Sequence, residues 1–164
     1  PAGLTVTLLG AGGAAKAVAL ALSQAGAARV WVCNRTVERA EALCALDPLG
    51  RLVPAGFGPE TLARCAAQSA LLVNCTSLGM EGCPGQFGDF SFLDALPGGA
   101  AVYDLIYPPA ETRLLAQARR RGLEGRNGLS MLIWQGVLAL EHFLDRPLDR
   151  EKMADAAADA LAHY

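Results

Sequence analysis

Short apolar runs alternate with segments of helical pattern along most of the chain. Most of these runs are apolar at consecutive positions, which is typical of strands buried on both faces of a parallel sheet. The predicted strands are residues 4–9, 30–33, 51–54, 71–74, 101–105 and 123–127. The predicted helices are residues 14–25, 36–46, 59–67, 111–121, 129–144 and 149–163. This alternation predicts a three-layer α/β fold, a doubly wound parallel sheet of about six strands.

Glycine and proline mark the ends of several elements. Gly26 and Gly122 follow predicted helices, where glycine commonly ends a helix. Pro48 blocks continuation of the second helix, and Pro59 suits the first turn of the third. Residues 75–99 form the longest predicted loop and are rich in glycine and proline. Loops of this length in compact domains are usually functional or mobile.

The composition narrows the class of protein. With 164 residues, 52% of them hydrophobic, the chain is long enough for one domain with a normal core. Lys and Arg total 14 and Asp and Glu total 16, so the basic excess of a nucleic-acid or membrane-surface protein is missing. No apolar window approaches the roughly 18 residues of a membrane span, and the N-terminus lacks a signal-peptide pattern. We therefore expect a globular, cytoplasmic protein without nucleic-acid or membrane partners.

The five cysteines form no C-x-x-C pair and are distant in sequence from both histidines, so we expect no metal site. They are Cys33, Cys44, Cys65, Cys75 and Cys83. Small, mostly buried free thiols in a reducing compartment are the simpler interpretation.

A glycine-rich turn follows the first predicted strand and opens the first helix. The spacing is Gly10-x-Gly12-x-x-Ala15. In dinucleotide-binding folds the first glycine permits the tight turn, the second lets the backbone approach a pyrophosphate, and the third small residue lets the helix pack closely. Free N–H groups at the helix start favour an anion. Lys16 could add to this attraction, although a solvated lysine is the favoured interpretation.

Two arginines follow the second predicted strand, where NAD-binding proteins usually have an acidic residue. That position is Asn34, which can donate a hydrogen bond without repelling a phosphate. Thr36 is a plausible N-cap, so Arg39 falls in the first turn of the next helix, and Arg35 and Arg39 could converge on one anion. This pattern predicts NADP rather than NAD. The alternative is that both arginines form ion pairs with glutamates of the same helix.

Five blocks occur between residues 4 and 136. They are Gly10-Ala11-Gly12-Gly13-Ala14-Ala15, Asn34-Arg35-Thr36-x-x-Arg39, Asn74-Cys75-Thr76-Ser77-x-Gly79-Met80, Asp104-Leu105-Ile106-Tyr107-x-Pro109-x-x-Thr112 and Asn127-Gly128-Leu129-x-Met131-Leu132-x-x-Gln135. In this order they resemble the C-terminal, NADP-binding half of the shikimate dehydrogenase family, which has a Rossmann-like fold. Cys75 stands where the family commonly has alanine, a change between two small residues.

The resemblance implies an NADP site spread over several strand ends. Its implied residues are Gly10, Ala11, Gly12, Gly13, Ala14, Asn34, Arg35, Thr36, Arg39, Thr76, Ser77, Leu105 and Gly128. By resemblance, residues 10–14 would hold the pyrophosphate and residues 34–39 the 2′-phosphate. Residues 76–77 would line the adenosine and phosphate side, whereas Leu105 and the Gly128 carbonyl would contact the nicotinamide.

The resemblance also implies a substrate and an additional, N-terminal domain. Tyr107 and Gln135 would contact the hydroxyl or carboxylate groups of the substrate. The implied reaction is the reversible, NADPH-dependent reduction of 3-dehydroshikimate to shikimate, in the chorismate route of aromatic amino-acid biosynthesis. The family's catalytic Lys–Asp pair and its clamp for the substrate carboxylate belong to an N-terminal domain. Nothing before Leu4 could supply them, so that domain is expected to be absent.

We predict no catalytic residue within residues 1–164. Asp104 ends the fifth predicted strand, but a loop or cap carboxylate is the favoured interpretation. His142 and His163 fall in the last two helices, away from the strand ends. The chain is therefore expected to be the NADP-binding domain with its C-terminal helices. It would bind substrate together with the N-terminal domain and be inactive alone.

Two other functions stay open. A quinate/shikimate dehydrogenase of broader specificity would often prefer NAD and have an acidic residue at position 34. A non-catalytic NADP-binding module would use Tyr107 and Gln135 for packing only.

The predicted helix 129–144 is apolar on two faces, whereas a surface helix needs only one. One stripe consists of Leu129, Leu132, Ile133, Val137, Leu140 and Leu144, and the other face contains Met131, Trp134 and Leu138 beside Gln135. Another domain against the second face is the favoured explanation. The alternative is cover by the final helix, whose own stripe is Met153, Ala156, Ala157, Ala160 and Leu161.

Overall fold

The structure is a computed structural model and describes residues 2–161. The elements of the sheet region are β1 (Thr5–Leu9), α1 (Gly13–Gln24), β2 (Arg29–Cys33), α2 (Val37–Cys44), β3 (Leu52–Ala55), α3 (Pro59–Ala66), β4 (Leu71–Asn74), a 3-10 helix (Ser91–Ala95), β5 (Ala101–Asp104), α4 (Arg113–Arg120) and β6 (Glu124–Asn127). Two helices follow, α5 (Leu129–Leu144) and α6 (Arg150–Leu161). All twelve predicted strands and helices are confirmed, and each predicted boundary that falls within the described residues agrees within two residues. The predicted last positions of the final helix, including His163, lie outside the described residues.

The six strands form one parallel sheet in the order β3-β2-β1-β4-β5-β6. This confirms the predicted doubly wound fold. The register pairs Leu9 with both Cys33 and Asn74, and Asn74 in turn with Asp104. The carboxyl ends of β2, β1, β4 and β5 therefore lie side by side. The loops that leave these strands meet at one edge, where open α/β sheets bind their ligands.

Two apolar cores cover the two faces of the sheet. On one face α1 and α2 bury alanines, of which Ala15, Ala19 and Ala40 are completely inaccessible. Alanine has no side chain beyond Cβ, so these helices approach the strands closely. On the other face larger side chains of α3, the 3-10 helix and α4 fill the core, including Phe92 and Leu114.

The predicted loop 75–99 is not without secondary structure. Its 3-10 helix, Ser91–Ala95, buries Phe92 and Leu93 in the second core. A short apolar pair in a stretch rich in glycine and proline has too little periodicity to be recognised as a helix. The loop is therefore anchored to the core in its C-terminal third.

The chain divides into two compact units, Pro1–Asn127 and Gly128–Tyr164. In the second unit α5 and α6 pack against each other, and Glu141 pairs with Arg150 at 2.7 Å. Of the predicted apolar stripe of α5 only Val137 is buried, whereas Leu140 and Leu144 are exposed.

The final helix reaches part of the second face of α5, because Trp134 lines a cavity together with Ala154 and Ala158 of α6. Trp134 and Leu138 on that face are exposed, and only Ala154 of α6 is buried. No helix among residues 2–161 is long and apolar enough to cross a membrane. The described residues contain no cluster of potential metal ligands.

Candidate nucleotide-binding site

The turn after β1 depends on a glycine at position 10. Gly10 has a φ of 105°, which other residues rarely adopt. A Cβ at this position would lie 3.1 Å from Thr76 Cγ2 and 3.2 Å from the carbonyl oxygen of Cys75. The Gly10 N–H donates to the Cys33 carbonyl at 2.8 Å. The turn is thus held between the ends of β2 and β4.

The N-terminus of α1 is open. Gly12 is the N-cap and provides no side-chain cap, and the first turn contains no acidic residue. The first helical hydrogen bond is Lys16 N–H to the Gly12 carbonyl, at 2.9 Å. Within residues 2–161, the N–H groups of residues 11–15 have no acceptor. A Cβ on Gly12 or Gly13 would meet no atom within 4 Å. Free donors, the helix dipole and open space make this terminus suitable for an anion.

Asn34 shapes the turn after β2. Its Nδ2 donates to the Thr36 carbonyl at 2.8 Å, and its backbone N–H donates to the Ala55 carbonyl at 3.1 Å. Thr36 is the N-cap of α2 as predicted, but its side chain makes no cap hydrogen bond. One amide N–H of Asn34 is therefore used inside the turn, and only its second can serve a ligand.

Arg35 and Arg39 are exposed, and neither belongs to an ion pair among the described residues. The alternative pairing with Glu38 or Glu41 is not observed. Two unpaired guanidinium groups therefore flank the start of α2 and are free to meet an anion. Lys16 is likewise exposed and without an ion-pair partner in the described part of the chain.

Two cavities adjoin the glycine turn and share Ala11 and Gly12. The central cavity, of about 210 Å³, is lined by Gly10, Asn34, Arg35, Phe57, Thr76 and Ser77 among others. The α1–α2 cavity, of about 350 Å³, is lined by Gly13, Lys16, Arg39 and apolar residues of α2. None of the described residues that line these two cavities is acidic. Their positive charge is therefore uncompensated.

An aromatic cavity of about 310 Å³ continues from the central one and shares Arg35, Phe57 and Leu78 with it. Phe87 and Phe92 line its wall, and Phe87 packs against Phe57 with ring centroids 6.3 Å apart. The sequence prediction missed this cavity. Four of the five phenylalanines of the chain gather here, and their clustering between residues 57 and 92 was the available signal.

The Tyr107 cavity continues from the other side of the central one and shares Cys75, Thr76 and Ser77 with it. Its volume is about 290 Å³, and Ala14, Met80, Leu105 and Tyr107 also line it. Tyr107 is 44% exposed. Burial, and to a smaller extent Asp104, raises the pKa of the Cys75 thiol to about 12, so this thiol is neutral and unreactive.

A buried hydrogen-bond network lies beneath the Tyr107 cavity. Asp104 is completely inaccessible and accepts from Asn74 Nδ2 at 2.9 Å, from the Ile106 N–H at 3.2 Å and from Thr112 Oγ1 at 2.6 Å. Burial raises the pKa of Asp104, and the three hydrogen bonds oppose that rise. The carboxylate does not line any of the four cavities. The sequence interpretation of Asp104 as a structural carboxylate agrees with this position, but its side-chain partners were not predicted.

The structure brings together the predicted residues of the first unit. Gly10 to Ala14, Asn34, Arg35, Arg39, Thr76, Ser77, Leu105 and Tyr107 each line one or more of these connected cavities. Thr36 lies in the turn beside them. Gly128 and Gln135 belong to the second unit, where Gly128 is the buried N-cap of α5 and Gln135 is exposed on that helix. Their assignment to cofactor and substrate stays a prediction.

The doubly wound sheet, with a glycine turn after β1 that opens the first helix, is the architecture of Rossmann-like dinucleotide-binding domains. Comparison with known families specifies the class further. Residues 2–51 match the family "Shikimate / quinate 5-dehydrogenase", and residues 128–158 match the "Shikimate 5'-dehydrogenase C-terminal domain". The chain is therefore related to the shikimate dehydrogenases, as its sequence blocks predicted.

Individual relatives support this relationship. The chain is 47% identical to the shikimate dehydrogenase (NADP(+)) of Methylobacterium radiotolerans over 162 residues, which are 98% of this chain and 55% of that protein. The shikimate 5-dehydrogenase of Thermus thermophilus, solved with NADP(H) and shikimate, is 40% identical with a TM-score of 0.70, over 94% of this chain and 54% of that one.

The quinate dehydrogenase of Corynebacterium glutamicum, solved with NAD, is 30% identical with a TM-score of 0.78, over 96% of this chain and 55% of that one. The chain thus spans about half the length of the relatives it matches.

Proposed function

We propose that this chain is the cofactor-binding half of an NADP-dependent shikimate dehydrogenase. The observation that supports this most directly is the row of connected cavities at the carboxyl edge of the sheet. An aromatic cavity, a central cavity with free N–H groups and the unpaired Arg35, and the Tyr107 cavity follow one another. A dinucleotide has the same order of parts: a flat base, an anionic middle and a second ring.

The residues present fit NADP. The free N–H groups of the glycine turn would bind the pyrophosphate, and Phe57 with the neighbouring aromatic wall would contact the adenine. Thr76 and Ser77 would line the path from the adenine and pyrophosphate to the nicotinamide. Leu105 would contact the nicotinamide in the Tyr107 cavity. NADPH supplies a hydride when it is bound, and the protein contributes binding and orientation.

The proposed preference for NADP over NAD depends on charge at the end of β2. Arg35 and Arg39 are unpaired, and Asn34 occupies the position where NAD-binding domains usually have a carboxylate. A 2′-phosphate would therefore meet two guanidinium groups and no carboxylate at position 34, whereas Asp89 lines the aromatic cavity together with Arg35. The same observation disfavours the quinate/shikimate alternative, whose members often prefer NAD.

The substrate side is proposed from the relatives. Tyr107, exposed at the mouth of its cavity, would contact 3-dehydroshikimate or shikimate, and Gln135 of the second unit would do the same. The described residues that line the Tyr107 cavity contain no carboxylic acid, histidine or lysine to exchange a proton with the substrate oxygen. We therefore propose that the N-terminal half found in the relatives supplies this group, and that residues 1–164 alone are inactive. The reaction would belong to aromatic amino-acid biosynthesis in the cytoplasm.

Fluorescence titration of the 164-residue chain with NADPH and NADH tests the cofactor proposal. We expect NADPH to bind more tightly, and Arg35→Ala to weaken NADPH about 10- to 100-fold while changing NADH little, because a hydrogen bond between charged groups contributes about 1.5–3 kcal/mol. Arg120→Ala is the matched control, since Arg120 is exposed at the end of α4. Equal affinity of the parent chain for the two cofactors would contradict the proposal.

The non-catalytic alternative is tested separately. Shikimate oxidation should appear only when the chain is joined to an N-terminal half from a relative such as the Methylobacterium radiotolerans enzyme. A fusion that binds NADPH, folds and yet stays inactive would favour a binding module.

A further inference from the structure

Asp104 joins two loops that approach from different strands. It ends β5, is completely buried, and receives hydrogen bonds from Asn74 at the end of β4 and from Thr112 at the start of α4. Asn74 and Thr112 are themselves buried, with 0% and 1% of their surface exposed. We call Asn74, Asp104 and Thr112 the Asp104 network.

On the β4 side the network holds the loop that begins with Cys75. Asn74 Oδ1 accepts from the Thr76 N–H at 3.0 Å and from Thr76 Oγ1 at 2.7 Å. Thr76 Oγ1 in turn accepts from the Leu78 N–H at 3.2 Å. Both hydrogen bonds fix Thr76 and the start of this loop to the end of β4.

On the β5 side the network holds the segment that contains Leu105 and Tyr107. Asp104 accepts from the Ile106 N–H, between these two residues, and Thr112 closes the segment at its far end. Thr112 Oγ1 also accepts from the Leu115 N–H at 3.3 Å as the N-cap of α4. One carboxylate thus holds both walls of the Tyr107 cavity.

We infer that Asp104 and its partners Asn74 and Thr112 are positioning residues, which set the separation of the two walls that receive the nicotinamide half of the cofactor. The inference rests on the proposed function of the site. A carboxylate is costly to bury unless hydrogen bonds satisfy it, and an apolar side chain could fill the same volume. All three donors come from segments that border or close the cavity. Helix capping alone would need Thr112 but neither Asp104 nor Asn74.

The test compares two ligands on the 164-residue chain. NADPH would fill the whole row of cavities, whereas 2′,5′-ADP has the adenine side and the 2′-phosphate but no nicotinamide. Thr112→Val keeps the shape of the side chain but removes the hydroxyl that donates to Asp104. Thr112→Ser retains this hydroxyl. We expect Thr112→Val to raise the Kd of NADPH about tenfold. This increase results if the arrangement of the two cavity walls that binds NADPH falls to about a tenth of the population. The Kd of 2′,5′-ADP should change less than about twofold, and Thr112→Ser should restore NADPH binding.

Val6→Ala controls for general loss of stability. Val6 is completely buried in β1, near the amino end of the strand and away from the network. This variant should lower the melting temperature and leave both Kd values unchanged. If Thr112→Val does not fold, Asp104→Asn gives the same comparison, because it preserves shape and removes the negative acceptor.

The outcomes separate the inference from the proposed function. Unchanged NADPH affinity in a folded Thr112→Val chain, or equal weakening of NADPH and 2′,5′-ADP, overturns the positioning role and leaves the proposed function intact. A parent chain that binds neither ligand overturns both.

Discussion

Replacing Gly10 with alanine tests the physical basis of the turn between β1 and α1. The φ of 105° at this position costs a residue with a side chain about 1–3 kcal/mol. The new Cβ would also lie 3.1 Å from Thr76 Cγ2 and 3.2 Å from the Cys75 carbonyl oxygen. That backbone cannot easily withdraw, because the Cys75 N–H donates to the Leu9 carbonyl at 2.8 Å.

Overpacking of this kind costs about 1–3 kcal/mol, so Gly10→Ala should lose about 2–6 kcal/mol of unfolding free energy in total. Such a loss is a large fraction of the roughly 5–15 kcal/mol that stabilises a typical protein. Urea denaturation followed by circular dichroism measures the loss from the shift of the midpoint at constant slope.

Gly12→Ala is the matched control within the same turn. Gly12 has a φ of −85°, and its Cβ would meet no atom within 4 Å. The stability loss should be about 1 kcal/mol or less, because alanine is only a poorer N-cap than glycine. The methyl group would instead occupy open space where the pyrophosphate is proposed to bind, so NADPH affinity should fall in a folded chain. A Gly10→Ala chain as stable as the parent, or equal stability losses in the two variants, would refute the reasoning.

Two further predictions follow from the perturbed groups. Burial acts to raise the pKa of Asp47, but hydrogen bonds from Ser23 Oγ, the Arg51 N–H and other backbone N–H groups outweigh it and hold the pKa below its ordinary value. The stability that this carboxylate contributes is present above its unfolded pKa of about 3.9 and is lost as pH falls through the folded pKa. Asp47→Asn should therefore flatten the fall of the melting temperature at acidic pH. An unchanged fall in the variant would contradict this prediction. The pKa of about 12 at Cys75, caused by burial and by Asp104, predicts slow alkylation by iodoacetamide at pH 8 in the folded chain and fast alkylation in urea. Peptide mass spectrometry measures both rates, and similar rates would contradict the prediction.

The sequence alone determined the order of elements and the location of the phosphate-binding turn. Continuous apolar runs are a local signal of buried parallel strands, and they predicted β1 to β5 correctly. The glycine turn is also local, since Gly10 and Gly12 precede a helix that begins within the same few residues. The pair Arg35 and Arg39 was recognisable because the end of β2 has a fixed place relative to that turn.

Only the tertiary structure decided which distant side chains meet. Asn74 and Asp104 are 30 residues apart and come into contact because β4 and β5 are neighbours in register, which no local pattern encodes. The aromatic cavity likewise requires Phe57 and Phe87 to converge from separate loops. The two apolar faces of α5 were visible in its periodicity, but periodicity reports which residues share a face and not what covers it. Burial and pairing are properties of the assembled layers, since they depend on contacts between segments far apart in the chain.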